Sequence, residues 1–276
     1  MKKTISSIVL SLSLGAGGVV AQDGEGIGAN VNIGHLAPFA PVVADTAVSI
    51  DVNGSEAFTG VVYENFTGYT PLTGMTDPFD VTVDVRTPPG GDVAITDTLS
   101  LDSGLDYTVV AIGNVVNQPL ELFALVDTQP VRGGTDARLR IVHAAPFASD
   151  PAATEVDIRT DGGDVVGGLT NVPYKGNSGF LTVPAGTYDL QVTTPGGALT
   201  LIDLAPVTLN AGDQVTVFAV GDIVNQPVGA IAVFGDGSSA VLPLEAGGAA
   251  PIPTLGQWGL ILLVLGLAVV GIRRLV

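Results

Sequence analysis

Two histidines stand 108 residues apart in nearly the same local sequence, His35-Leu-Ala-Pro-Phe-Ala and His143-Ala-Ala-Pro-Phe-Ala, and the chain has no others. An imidazole can ligate a metal or act as a general base, so a duplicated one draws attention first. A metal site needs second and third ligands, however, and one histidine per copy does not supply them. Cysteine is absent, which removes disulfides, thiolate nucleophiles and thiolate metal sites. No Gly-x-Ser-x-Gly elbow occurs; the Gly-Asn-Ser-Gly at 176–179 has the wrong spacing. The expectation is therefore that His35 and His143 each end a strand and hydrogen-bond the Ala-Pro turn that follows, with no catalytic role and no metal or other cofactor. The competing reading is a secreted hydrolase built around one of them.

Three further groups carry polar chemistry. Asp51-Val-Asn53-Gly54 and Asp161-Gly-Gly-Asp164 place oxygen ligands in turns, yet neither follows the spacing of a known calcium loop, and turn formation alone explains the residue types. Gly113-Asn-Val-Val-Asn117-Gln118-Pro119 recurs as Gly221-Asp-Ile-Val-Asn225-Gln226-Pro227. Paired amides at a loop tip could meet carbohydrate hydroxyls, but Asn and Pro are turn formers first.

These residues must be positioned by strands. Phe79, Val81, Val83 and Val85 alternate with polar residues before a Pro-Pro-Gly-Gly turn, and Val48, Ile50 and Val52 alternate likewise. Tyr107-Thr-Val-Val-Ala-Ile112 and Gln214-Val-Thr-Val-Phe-Ala-Val220 are continuous enough to be buried strands. With 37 Gly, 18 Pro and 13% charged residues, the composition suits many short strands and tight turns. The anchors repeat at an offset of 108, including Val48-Ser-Ile50 against Val156-Asp-Ile158. The predicted fold is all-β: two tandem antiparallel, Ig-like β-sandwiches at 30–127 and 137–245, with short linkers at 128–136 and 246–251.

The ends read as addresses. Lys2 and Lys3, the apolar run 8–20 and the small residues around Val19 and Ala21 make a signal peptide cut between Ala21 and Gln22. At the other end Ile252-Pro253-Thr254-Leu255-Gly-Gln-Trp258 leads into an apolar run closed by Arg273 and Arg274. The 252–272 stretch would be about 31 Å long as a helix, enough to cross a bilayer. Trp258 would lie at the interface and the arginine pair on the cytoplasmic side. The net charge is −17, and without the four basic residues at the extreme ends six remain against 27 carboxylates. Such a surface repels phosphates, so nucleic acid is not an expected partner.

The C-terminal residues Ile252, Pro253, Thr254, Leu255, Trp258, Arg273 and Arg274 resemble the IPTL-CTERM family of protein-sorting tails, here over residues 252–276 and with Gln257 where Glu is often seen. The resemblance implies a Gram-negative exported protein whose tail is handled by an exosortase-type membrane enzyme, after signal peptidase has acted at the other end. The two copies resemble the bacterial domain-of-unknown-function family numbered 4397. The second copy carries His143-Ala-Ala-Pro146, Val156-Asp-Ile158, Gly179-Phe-Leu181 and Pro184-Ala-Gly-Thr-Tyr188; the first keeps His35 to Pro38 but has Pro71-Leu-Thr-Gly-Met-Thr-Asp-Pro78 in place of the last segment. That family implies an extracytoplasmic β-sandwich and no particular activity. The expectation is thus a cell-surface or matrix interaction protein, with exopolysaccharide as a possible partner. It would not be an enzyme. A carbohydrate- or calcium-binding module is the variant.

Overall fold

The alternation at 79–85 becomes a strand with one dry face. In the computed structural model, which describes residues 27–127 and 134–245, Phe79, Val81, Val83 and Val85 are all buried and Asp80 is exposed. The first copy has eight strands: β1 (Ile27–His35), β2 (Val48–Val52), β3 (Ser55–Val61), β4 (Phe66–Gly74), β5 (Phe79–Thr87), β6 (Asp92–Leu101), β7 (Asp106–Ile112) and β8 (Glu121–Asp127). They form two four-stranded sheets, β4-β1-β7-β8 and β3-β2-β5-β6. Val31 and Ile33 of one sheet meet Ile50, Val83 and Leu101 of the other in a shared core.

The second copy repeats the plan with shorter strands: β9 (Asp136–His143), β10 (Asp157–Thr160), β11 (Leu181–Pro184), β12 (Gly186–Tyr188), β13 (Leu190–Thr193), β14 (Thr200–Asp203), β15 (Val207–Leu209), β16 (Gln214–Val220), β17 (Gly229–Phe234) and β18 (Ser239–Val241). A five-stranded sheet β11-β9-β16-β17-β18 faces β10-β13-β14 and the β12-β15 pair. Leu139, Ile141, Ile158, Ile202 and Val215 fill the space between. Where the first copy has β3, the second has turns joined by isolated bridges, Arg159 to Val165 and Val156 to Val172.

The all-β expectation holds among the described residues, whose only helical pieces are 3-10 turns at Val43–Thr46, Pro151–Thr154 and Pro195–Gly197. The antiparallel expectation needs correction, because β1 pairs with β7 in parallel, Asn30 opposite Asp106, and β9 pairs with β16 in parallel, Arg138 opposite Gln214. Alternation reports which face of a strand is dry and carries no information about direction. The intervening strands of the opposite sheet return the chain to its starting end, and that sets the direction.

β7 and β16 are buried on both faces. One face serves each copy's own core. The other presents Val110, Ile112, Phe218 and Val220, which pack together with Leu36, Leu125, Val142, Ile231 and Val233 into a third core. The molecule is therefore four layers of sheet with three apolar interfaces, the middle one joining the two copies. No helix among the described residues is long and apolar enough to cross a membrane. The signal peptide and the spanning helix of the sequence reading lie outside the described residues.

Candidate functional site

Both histidines are internal. His35 closes β1 and His143 closes β9, each almost fully buried. His35 Nε2 lies 2.9 Å from the Thr46 carbonyl and His143 Nε2 lies 2.7 Å from that of Thr154. A carbonyl only accepts, so Nε2 carries the proton, which leaves Nδ1 to accept from Ala37 N–H or Ala145 N–H at 3.4 Å. Phe39 and Phe147 lie against the rings with centroids 5.5 Å away, and Tyr63 and Tyr174 meet them edge-on. Burial pushes both imidazoles down to about 4, against a weaker upward effect of the carbonyl hydrogen bond. Each ring is thus a neutral brace tying a strand end to the turn that follows it. The sequence reading anticipated the contact to the Ala-Pro turn and missed the longer one, eleven residues on.

The Asn-Gln-Pro segments join the copies. Asn117 Nδ2 donates to the Pro146 carbonyl at 3.0 Å, and Asn225 Nδ2 donates to the Pro38 carbonyl at 2.9 Å. Gln118 Nε2 reaches the Ala148 carbonyl at 2.8 Å, and Gln226 Nε2 reaches that of Ala40 at 2.7 Å. On the axis between them Asn114 Nδ2 donates to Asp222 Oδ2 at 3.0 Å. Every partner has its counterpart 108 residues away, so the contact is a pseudo-two-fold: each copy's Asn-Gln-Pro turn grips the other copy's Ala-Pro segment. The turns are built to do this. Asn114 Oδ1 accepts from the amides of Asn117 and Gln118, and Asp222 Oδ1 accepts from those of Val224, Asn225 and Gln226. Gly113 and Gly221 both sit at φ 92°, where a Cβ would come within 1.9 and 2.1 Å of the Pro119 and Pro227 carbonyl oxygens. The amides that sequence reasoning offered to carbohydrate are therefore spent on the partner copy.

The other end of the interface is held unequally. Arg140, 3% exposed, donates to the Val126 carbonyl at 2.9 Å, to Thr216 Oγ1 at 3.0 Å and to Asp127 Oδ1. Phe180 lies under its guanidinium, 4.4 Å to the ring centroid. Asp127 Oδ2 accepts from Tyr69 Oη and Thr108 Oγ1, both at 2.7 Å. Burial lowers the arginine's proton affinity and the aspartate opposes this. The pseudo-equivalent of Arg140 is Asn32, which donates to the Gly237 carbonyl at 3.0 Å. Sequence reasoning passed over Arg140 and Asp127. The signal available was a charged residue at an inward position of a strand, which a structure tolerates only when the charge is paired.

The acidic turns are engaged locally. Asp51 pairs with Arg86 Nε at 2.7 Å, Asn53 Oδ1 accepts from Thr82 N–H at 3.0 Å, and the turn at 161–164 closes on Thr160 through main-chain bonds. Among the described residues no group of three or more His, Asp or Glu is placed to hold a metal ion. The cleavage residues Ala21 and Gln22 and the sorting residues Ile252, Pro253, Thr254, Leu255, Trp258, Arg273 and Arg274 lie outside the described residues.

The family described as domain of unknown function, DUF4397, matches residues 29–150 and 147–241, and the IPTL-CTERM motif matches residues 250–275. No curated protein matches the chain. Solved structures similar to it include a family 26 carbohydrate-binding module from Eubacterium rectale Amy13K in complex with maltoheptaose, 10% identical, covering 81% of this chain and 100% of that one at a TM-score of 0.20. Another is the Bacillus anthracis TIE protein, 14% identical, covering 79% of this chain and 44% of that one, also at a TM-score of 0.20. At those scores the likeness carries no argument about fold or ligand.

Proposed function

The chain belongs to the DUF4397 family, in two tandem copies followed by an IPTL-CTERM motif, and on that premise we propose that it is an exported, non-catalytic interaction protein of the cell surface or extracellular matrix. The observation that carries this reading is the motif at 250–275, a sorting signal for an exosortase-type processing enzyme that marks an exported, surface-targeted protein. Signal peptidase cuts before Gln22, the apolar run holds the chain in the inner membrane with Arg273 and Arg274 on the cytoplasmic side, and the processing enzyme then acts at the Ile252-Pro253-Thr254-Leu255 segment. Two observations support a non-catalytic role: both imidazoles are neutral and saturated by main-chain partners, and the duplicated amides serve the contact between copies. The acidic exterior suits a hydrated matrix in which exopolysaccharide is the neighbour.

The test is the intact mass and fractionation of the native protein beside a version lacking 252–276. A mature form that begins at Gln22, ends near Pro253 and Thr254 and is found on the surface or in the medium supports the reading. A form that keeps its apolar tail in the membrane makes the protein a plain single-pass anchor and overturns the processing step.

A further inference from the structure

We propose that the clasped end of the molecule rests on the lipid bilayer while the C-terminal tail is still anchored, with the two duplicated turns dipping valines into a zwitterionic headgroup layer. The inference rests on the reading of residues 252–272 as a membrane span and adds a lipid contact made by the β domains themselves.

Exposed apolar side chains gather at this end. Val116 is 81% exposed, Val224 79% and Val115 68%; Val42 and Val43, just after the Pro38–Ala40 segment gripped by Asn225 and Gln226, and Val93, beside the β5-β6 turn, are also exposed. The pseudo-two-fold axis puts both turns side by side, because Asn114 bonds Asp222 directly. Isolated exposed valines need no explanation, but a cluster rimmed by polar residues marks an interaction surface.

The left-handed position of each turn, whose N–H closes the turn on Gln118 or Gln226, is filled by a residue that fits it poorly. Val115 has φ 68° and Ile223 φ 70°, a left-handed conformation that β-branched residues rarely adopt and that Asn or Gly would take freely. Both copies nonetheless place a β-branched residue there, followed by a valine. Strain retained at one position in both copies points to a role for the apolar tip.

The chain leaves the fold toward the same end. Leu244 pairs antiparallel with Leu204, and Glu245 N–H bonds the Asp203 carbonyl, so the C-terminal segment climbs β14 toward Thr200. Thr200 is opposite Thr193, and the turn after Thr193 donates Gly196 N–H to Asp157, at the start of β10 just beyond the gripped segment. Six linker residues, 246–251, span at most roughly 20 Å. A bilayer entered at residue 252 is then within reach of the valine tips. The net charge of −17 opposes an anionic surface, so the lipid partner is zwitterionic.

The full chain is reconstituted into phosphatidylcholine vesicles, and the absence of native cysteine allows an environment-sensitive dye to be placed singly at Val116→Cys, Val224→Cys or Met75→Cys. Met75 is 98% exposed in the β4-β5 connection at the opposite end. Blue-shifted emission at 116 and 224, quenched by brominated lipid, with none at 75, is the expected result. Adding Val115→Asp beside the dye at 224 is expected to reduce the shift without lowering the melting temperature. A chain that floats with the vesicles but shows no shift at either tip overturns the proposal and leaves the tail reading standing. A chain that does not float overturns both. A tip shift that appears in detergent micelles and is not quenched by brominated lipid assigns the tips to the protein's own tail and also overturns it.

Discussion

His35 and His143 are neutral in the fold and would ordinarily protonate near 6.5, which makes them a pH liability with a definite sign. Between 6.5 and about 4 the unfolded chain binds protons that the folded chain refuses. Stability from these groups is complete above 6.5, falls as the pH drops toward 4, and falls no further below that. A displacement of that size is worth about 3 kcal/mol for each histidine. The partly exposed carboxyls Glu64 and Asp203 are displaced upward, chiefly by desolvation, and act in the opposite direction. The measurement is therefore a comparison: unfolding free energy at pH 7 and pH 5 for the native chain and for His35→Gln/His143→Gln. The native chain should lose more stability on acidification than the double variant; equal losses would mean that the imidazoles titrate normally. The Arg140–Asp127 pair makes a second residue-scale prediction. Asp127→Ala strands a guanidinium that is 3% exposed and should cost about 3–5 kcal/mol. Asn32→Ala, at the pseudo-equivalent of Arg140, should cost only about 1–2 kcal/mol, because it removes one neutral hydrogen bond.

The duplicated turns are the elements that join the copies. Asn117→Ala leaves the Pro146 carbonyl with Asn114 Nδ2 still donating at 3.2 Å, whereas Asn225→Ala takes from Pro38 a donor that the carboxylate of Asp222, the counterpart of Asn114, cannot replace. By chemical denaturation Asn225→Ala should therefore cost about 1–3 kcal/mol and Asn117→Ala about 1 kcal/mol or less. Equal losses would show that the Asn114 contact to Pro146 contributes nothing. Much of the element-level organisation was legible in the sequence. The 108-residue offset, the alternation at 79–85 and the histidines at strand ends all reappear in the fold, and Tyr107 to Ile112 reads as buried because both of its faces are. The clasp was not legible, for a physical reason. A turn-forming Asn presents the same local pattern whether its amide meets solvent, sugar or a neighbouring domain, and here the partner is 187 residues away. The parallel pairing of β1 with β7 was hidden likewise, since a dry face says nothing about strand direction.

At the scale of the molecule, the third core decides whether two domains behave as two. Phe218, Val110, Ile112 and Val220 are fully buried and belong to neither sandwich's own interior. Separating the copies would expose all four, together with the Asn-Gln-Pro turns and the Arg140–Asp127 pair, so neither copy can open alone without desolvated polar groups losing their partners. The expected behaviour is one cooperative unfolding transition, with the calorimetric enthalpy equal to the van't Hoff enthalpy. Phe218→Ala probes this directly, since the side chain lies in the second copy yet packs against Phe66 of the first, ring centroids 6.2 Å apart. Emptying that site should cost about 3–5 kcal/mol and should lower the transition as a whole. Amide hydrogen exchange then distinguishes the cases. If the middle core couples the copies, protection falls together in β5 of the first copy and in β13 of the second. Loss of protection confined to the second copy, or a thermogram that splits in two, would mean that the sandwiches are independent and that the clasp only orients them.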